Sequence, residues 1–292
     1  GTSMREYRFY APATMEELFR IAAQPETEVK FLAGGTDLVP KINMERDQIP
    51  YEDKPPMAIV SLQKLGLDGI VDQGDAITIG ATTRIADIQD STLLRDRAPA
   101  LCQACDQLAS FAIRNEATLG GNIVNASPAA DTLPALYVLE AQVILQSARG
   151  QRSVKITDFM VGPGKAAIEK DEVLTSVVLY PGAGKSSFQK LGRRAAETLS
   201  VINAAAYIEM HNGICTKARV AVGSAAPTTK LCQAAAAALE GAPITEAAVC
   251  SAMEKVNDVL SPIDDIRASA WYRRETAPVM AARAVLAAAE NI

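Results

Sequence analysis

Two adjacent-glycine stretches, far apart along the chain, constrain its fold more than any other feature. The longer runs Thr118-Leu119-Gly120-Gly121-Asn122-Ile123-Val124-Asn125-Ala126-Ser127-Pro128-Ala129-Ala130-Asp131. The earlier one is Lys30-Phe31-Leu32-Ala33-Gly34-Gly35-Thr36-Asp37. Paired glycines let backbone N–H groups turn the same way and admit a ligand where a Cβ would stand. Two such turns can close on one diphosphate, so the fold has to bring both segments to one place. The pyrophosphate of a dinucleotide suits that arrangement. Taken alone, the first pair also reads as a tight structural bend, and neither stretch is a G-x-G-x-x-G.

The flanking pattern supports phosphate binding at the end of a strand. Tyr7 to Tyr10 alternates like a short strand. Thr14 followed by Glu17 has capping-box spacing before a helical face of Met15, Leu18, Phe19, Ala22 and Ala23. Val29 to Ala33 reads as the strand that enters the first glycine turn. Glu45 to Pro56 reads as an exposed loop. Ala58 to Leu62 is a strand, and residues 69–72 and 76–80 form a hairpin about Gln73-Gly74-Asp75. Helices are expected from Ile85, over 99–108 and over 132–139. Strands are expected at 141–146, 152–156 and 171–179, with a loop at 158–164. Pro181-Gly182-Ala183-Gly184 marks the clearest boundary. Beyond it lie strands at 201–210 and 215–222 about Asn212-Gly213, then Ala-rich helices at 232–239, 246–260 and 276–290. Gly1, Thr2 and Ser3 read as a cloning remnant and stay outside this reading.

Within the longer stretch, Gly120 and Gly121 would offer N–H groups to phosphate oxygens, with side-chain hydrogen bonds from Thr118 and Asn122. Asp131 can accept from ribose hydroxyls; it can equally serve as a helix N-terminal residue ahead of Thr132 and Pro134.

Composition removes other classes. The 292 residues carry a net charge of −5 and are 49% apolar but only 5% aromatic, which argues against nucleic-acid stacking platforms and against attraction to anionic lipid. No apolar run spans a bilayer, and the polar start (Arg5, Glu6, Arg8) carries no secretory signal, so a cytoplasmic protein is expected. Five scattered cysteines do not form a disulfide framework, and Cys102 and Cys105 read as core residues of a helix. The single histidine, His211, sits beside a turn. Triad and His-metal chemistry are thereby disfavoured, no catalytic side chain is assigned, and a bound cofactor has to carry any reaction.

A-G-G-T-D, then T-L-G-G-N-I-V-N-A-S-P-A-A-D, then Phe188-Gln189-Lys190-Leu191-Gly192-Arg193-Arg194, in that order, resembles the FAD-binding medium subunit of the molybdenum hydroxylases across essentially the whole chain. The resemblance implies an α+β fold: a vanillyl-alcohol-oxidase-like (PCMH-type) FAD-binding domain over 4–181, with subdomains at about 4–56 and 57–181. A C-terminal domain with a small antiparallel sheet and helices would follow over 185–290. It implies that Lys30, Phe31, Leu32, Ala33, Gly34, Gly35, Thr36 and Asp37 form the first FAD loop, and Thr118, Gly120, Gly121 and Asn122 the second. Asp131 and Leu108 would also contact the cofactor. So would Val173 or Leu174, and Lys190 with Gln189 as the alternative register. Leu199, Ser200 and Val201 would lie near the isoalloxazine. FAD would be non-covalent, with no extra iron–sulfur insert in this chain. The molybdenum cofactor would sit on a large partner subunit and [2Fe–2S] clusters on a small one, and electrons would pass through the flavin to NAD⁺ or another acceptor. A self-contained FAD-dependent oxidase or dehydrogenase and a scaffold without FAD are the other readings.

Overall fold

The computed structural model describes residues 5–33, 54–108, 115–124, 132–162, 165–191, 202–265 and 268–290. The expected loop at 45–56 lies outside them except for its last three residues. An amino-terminal layer is built from β1 (Tyr7–Tyr10), α1 (Met15–Ala22), β2 (Glu28–Leu32) and β3 (Met57–Ser61), with parallel strands in the order β1-β3-β2. Thr14 Oγ1 accepts from Glu17 N at 3.2 Å, and the Glu17 carboxylate reaches back to Ala13 N, so the cap forms one residue off the ideal box. Leu18 and Ile21 bury the helix against the sheet.

The central layer is antiparallel. Its strands are β4 (Ile70–Asp72), β5 (Ile77–Gly80), β6 (Gln142–Ser147), β7 (Gly150–Lys155) and β10 (Val173–Leu179), in the order β4-β5-β10-β6-β7. The period-two sequence of β6 appears as strictly alternating half-buried and buried positions. One face is covered by α2 (Ile85–Gln89), α3 (Thr92–Arg97), α4 (Pro99–Asp106), α5 (Leu119–Val124) and α6 (Thr132–Val138). The expected loop at 158–164 is instead a one-turn α7 (Ile156–Phe159) followed by β8 (Met160–Gly162) paired with β9 (Lys165–Ala166). Phe159 and Met160 are buried, and adjacent large apolar side chains do not sit in an open loop.

The third sheet runs β11 (Lys185–Leu191), β12 (Ile202–His211), β13 (Ile214–Gly223) and β14 (Lys230–Leu231), all antiparallel. The β12–β13 turn has Asn212 at φ 51° and Gly213 at φ 77°, the left-handed pair that a two-residue hairpin needs. Both faces of β12 are covered. Ala205 and Tyr207 join the central core, while Ile202, Ala204, Ala206 and Ile208 join a second core with α8 (Gln233–Leu239), α9 (Glu246–Met253) and α10 (Ala270–Glu290).

Two helix boundaries differ from expectation. The helix expected over 246–260 tightens into a 3-10 turn at Glu254–Asp258, where Val256, Asn257 and Asp258 are weak helix formers. The helix expected from 276 starts at Ala270, so Pro278 lies inside it. Proline removes the N–H that would serve the carbonyl four residues back. That carbonyl, Arg274 O, accepts instead from Asn257 Nδ2 at 3.1 Å.

Candidate functional site

The front of β10 is where segments remote in sequence meet. Successive side chains of a strand face opposite ways. Val173 turns into the amino-terminal cluster, against which Phe31 and Ala33 also pack. Leu174 turns into the central core, which contains Leu119 and carries Leu108 on its margin. Both are buried, at 2% and 3% exposure, so their side chains are committed to packing and only their backbone is left for a ligand.

This junction is held from outside by two arginines of the β6–β7 hairpin. Arg152 forms a two-pronged pair with Glu172, at 2.7 Å for both bonds, and also donates to Ala167 O at 2.9 Å. Glu169 N adds a bond to the same carboxylate at 2.8 Å. Hydrogen bonds from Arg152 hold the Glu172 carboxyl below the usual carboxylate range, against the opposing effect of burial. Arg149 pairs with Asp171 in the same two-pronged way, at 3.0 and 2.7 Å, and lowers its pKa. Spacing in the sequence gave no signal for this clamp, because its partners are joined only by sheet pairing.

Helix α5 is seated on the end of β5. Leu119 N donates to Thr83 O (3.0 Å) and Gly120 N to Ala81 O (2.9 Å). A Cβ on Gly120 would lie 2.8 Å from Ala81 O and 2.9 Å from Ala81 Cβ, so glycine is required here for close packing. Gly121 N donates to Thr118 Oγ1 at 3.1 Å, and Thr118 itself is buried. The N–H groups of both glycines, expected to face a phosphate, each have an acceptor within the protein in this structure. Asn122 is half-buried, and its Oδ1 accepts the hydroxyl of Thr132 at the start of α6. That bond turns the amide nitrogen, a donor of two hydrogen bonds, away from Thr132.

Lys190 lies on the same side of β11 as Ser186 and Phe188. Those residues bond to α4 through Ser186 Oγ accepting from Ala100 N (3.2 Å) and Phe188 N donating to Gln103 Oε1 (2.8 Å). Lys190 Nζ donates to Gln107 O at 3.2 Å, next to Leu108, whereas Gln189 alternates to the other face. Lys30 is 3.6 Å from Glu28 Oε1 on β2, an edge strand of the amino-terminal sheet. Gly34, Gly35, Thr36, Asp37, Asp131, Leu199, Ser200 and Val201 lie outside the described residues. His211 is exposed, and Cys102 and Cys105 are buried, with burial pushing the Cys102 thiol up to about 11.

The described residues thus set a glycine-seated turn and a half-buried amide beside β10, with Lys190 against the end of α4 next to Leu108. They form no acid–base pair there. That chemistry fits an uncharged-donor and cation surround for a nucleotide cofactor. The family described as "FAD binding domain in molybdopterin dehydrogenase" matches residues 5–180, and the one described as "CO dehydrogenase flavoprotein C-terminal domain" matches residues 186–288. The chain belongs to the FAD-binding medium-subunit family of the molybdenum hydroxylases. The medium subunit is 32% identical over 281 residues to the nicotinate dehydrogenase FAD-subunit of Eubacterium barkeri, covering 94% of this chain and 93% of that one. It is 27% identical to the carbon monoxide dehydrogenase medium chain of Hydrogenophaga pseudoflava, covering 97% and 96%. It superimposes with a TM-score of 0.89 on a chain of quinoline 2-oxidoreductase from Pseudomonas putida 86, at 27% identity and 99% coverage of each. The medium subunit is accordingly a flavin subunit of an oxidoreductase, with the α+β, PCMH-type fold. Among the described residues, no helix is long and apolar enough to cross a membrane, and no cluster of His, Cys, Asp and Glu is arranged to hold a metal.

Proposed function

We propose that this chain binds FAD non-covalently and serves as the electron relay of a cytoplasmic molybdenum hydroxylase complex. It would lie between a small [2Fe–2S] subunit and a final acceptor, NAD⁺ or another carrier, with a large molybdenum-cofactor subunit carrying the hydroxylation. FAD, when bound, would supply the redox chemistry of that relay, and the residues of this chain would hold it. The observation that supports this reading is the division at the front of β10: Val173 belongs to the core cluster against which Phe31 and Ala33 pack, and Leu174 to the one that contains Leu119 and carries Leu108 on its margin.

On this reading the chain's own residues bind and orient. Lys30 to Asp37 enclose one side of the diphosphate. Gly121 adds no side chain to block it, Asn122 donates through its amide nitrogen, and Thr118 and Gly120 hold the turn in place. Asp131 accepts from ribose, Lys190 supplies a positive charge beside Leu108, and Val173 and Leu174 contribute backbone. Residues 4–181 form the FAD-binding domain, in subdomains of about 4–56 and 57–181, and residues 185–290 the C-terminal domain.

The test is direct. The purified full chain reconstituted with FAD should show a flavin absorption spectrum and no hydroxylase activity by itself. Gly121→Trp should abolish that spectrum while leaving the far-UV circular dichroism unchanged. A wild-type chain that takes up no FAD would refute the reading.

A further inference from the structure

Helix α6 is buried at every residue and is tied at both ends. At its start, the Thr132 hydroxyl donates to Asn122 Oδ1. At its end, Val138 O accepts from Arg219 Nε at 2.6 Å, and Arg219 comes from β13 of the carboxy-terminal sheet. The Arg219 side chain is only 10% exposed; its guanidinium lies 3.9 Å from the centre of the Tyr207 ring and 3.6 Å from Glu140 Oε1. Tyr207 is fixed in turn: its hydroxyl donates to Glu209 and accepts from Gly184 N at 3.0 Å. A Cβ on Gly184 would come within 2.7 Å of Tyr207 Cζ, so the segment joining the two halves of the chain is pressed onto this ring. Along its sides α6 packs closely as well, with Pro134 Cγ 3.1 Å from where a Cβ of Gly223 would be.

We infer that Arg219 is a positioning residue for flavin binding: through α6 it sets the place of Thr132, and so the orientation of the Asn122 amide. The inference rests on the reading that Asn122 contacts FAD. A densely packed helix moves as a unit, and a shift at one end is transmitted to the other. Freeing Val138 O from its charged donor lets α6 slide along its axis, and the bond that orients Asn122 is the one that must then lengthen. Among the described residues, Arg219 bonds to none of those named for the nucleotide site. Its neighbours are Val138 O, Glu140 and the Tyr207 ring, all at the other end of the helix.

Flavin fluorescence quenching on the full chain, titrated with FAD, tests this together with thermal melting. Arg219→Met should weaken FAD binding about tenfold, the scale of one charge-assisted hydrogen bond. Tyr207→Phe removes the bonds to Gly184 and Glu209 but keeps the ring beneath Arg219, so it should lower the melting temperature and leave FAD affinity within about twofold. Thr132→Val should weaken FAD on its own, and the Arg219→Met/Thr132→Val double variant should lose less than the product of the two single effects. Arg219→Lys keeps the charge but cannot both hold Val138 O and stack on Tyr207. It should lose about threefold and carries the test if the methionine variant does not fold. FAD affinity unchanged in the Arg219 variants, with melting lowered as in Tyr207→Phe, would overturn the inference and leave Arg219 a packing residue. A wild-type chain that binds no FAD would instead bring down the functional reading beneath it.

Discussion

Arg152 and Arg219 each fix one approach to the same site, and they use different chemistry. Arg152 grips the front of β10 through a buried carboxylate, Glu172, with both prongs engaged. Arg219 grips the end of α6 through a backbone carbonyl and an aromatic ring, with Glu140 as a looser third partner. The first hold depends on an ionised acid. The second is mostly independent of one. An arginine fork can thus anchor an element by charge or by shape, and the two should respond differently to acid and to mutation.

The largest break in that comparison is expected from Arg152→Met. It leaves the Glu172 carboxylate, 4% exposed, with the Glu169 N–H and the more distant charge of Arg149 among the described residues, and should cost about 2 kcal/mol in urea unfolding at neutral pH, with the half-exposed arginine keeping the loss below that of a fully buried pair. Adding Glu172→Gln should recover part of the loss, because the buried charge is then gone. An Arg152→Met protein as stable as wild type would show that the fork contributes nothing net.

Acid sharpens the contrast. Glu172 and Asp171 have folded pKa values below their unfolded ones, so their stabilising contribution is complete above the unfolded value of about 4 and is lost as pH falls through the folded values. Melting temperature should therefore drop on acidification below about pH 4.5. The drop should be shallower in Arg152→Met and closer to the wild-type slope in Arg219→Met, whose main partner, Val138 O, does not titrate and whose contact with Glu140 is looser. Equal acid slopes in the two variants would erase the distinction drawn here. The smallest effect is expected from Tyr207→Phe, about 1 kcal/mol at pH 7. The phenol there is neutral, with burial and the neighbouring Glu209 pushing its pKa up to about 12.

Much of the fold was legible because local rules and tertiary packing agree. The cap at Thr14, the alternation of β6 and the Asn212-Gly213 hairpin all follow from short-range chemistry. The true start of the last helix, at Ala270, was not legible: the carbonyl that Pro278 leaves without an N–H partner is served by Asn257, distant in sequence and supplied by a different turn. At the site, the glycine pair at 120–121 stands out in the sequence, but the destination of its N–H groups does not. Gly120 is consumed by Ala81, a residue that reaches it only once β5 and β10 have paired. The arginine grips were invisible for the same reason: Arg152 reaches Glu172 only once β7, β6 and β10 share a sheet, and Arg219 reaches Val138 only once α6 packs on β13.

The opposed facing of Val173 and Leu174 has an evolutionary corollary. Inserting or deleting a single residue just ahead of them would exchange their destinations, sending the longer leucine toward α1 and the β-branched valine toward α5. Variation in chain length among related sequences should therefore collect in the 163–170 approach only where a compensating change restores parity before Val173. Elsewhere on that approach, gaps should be purged.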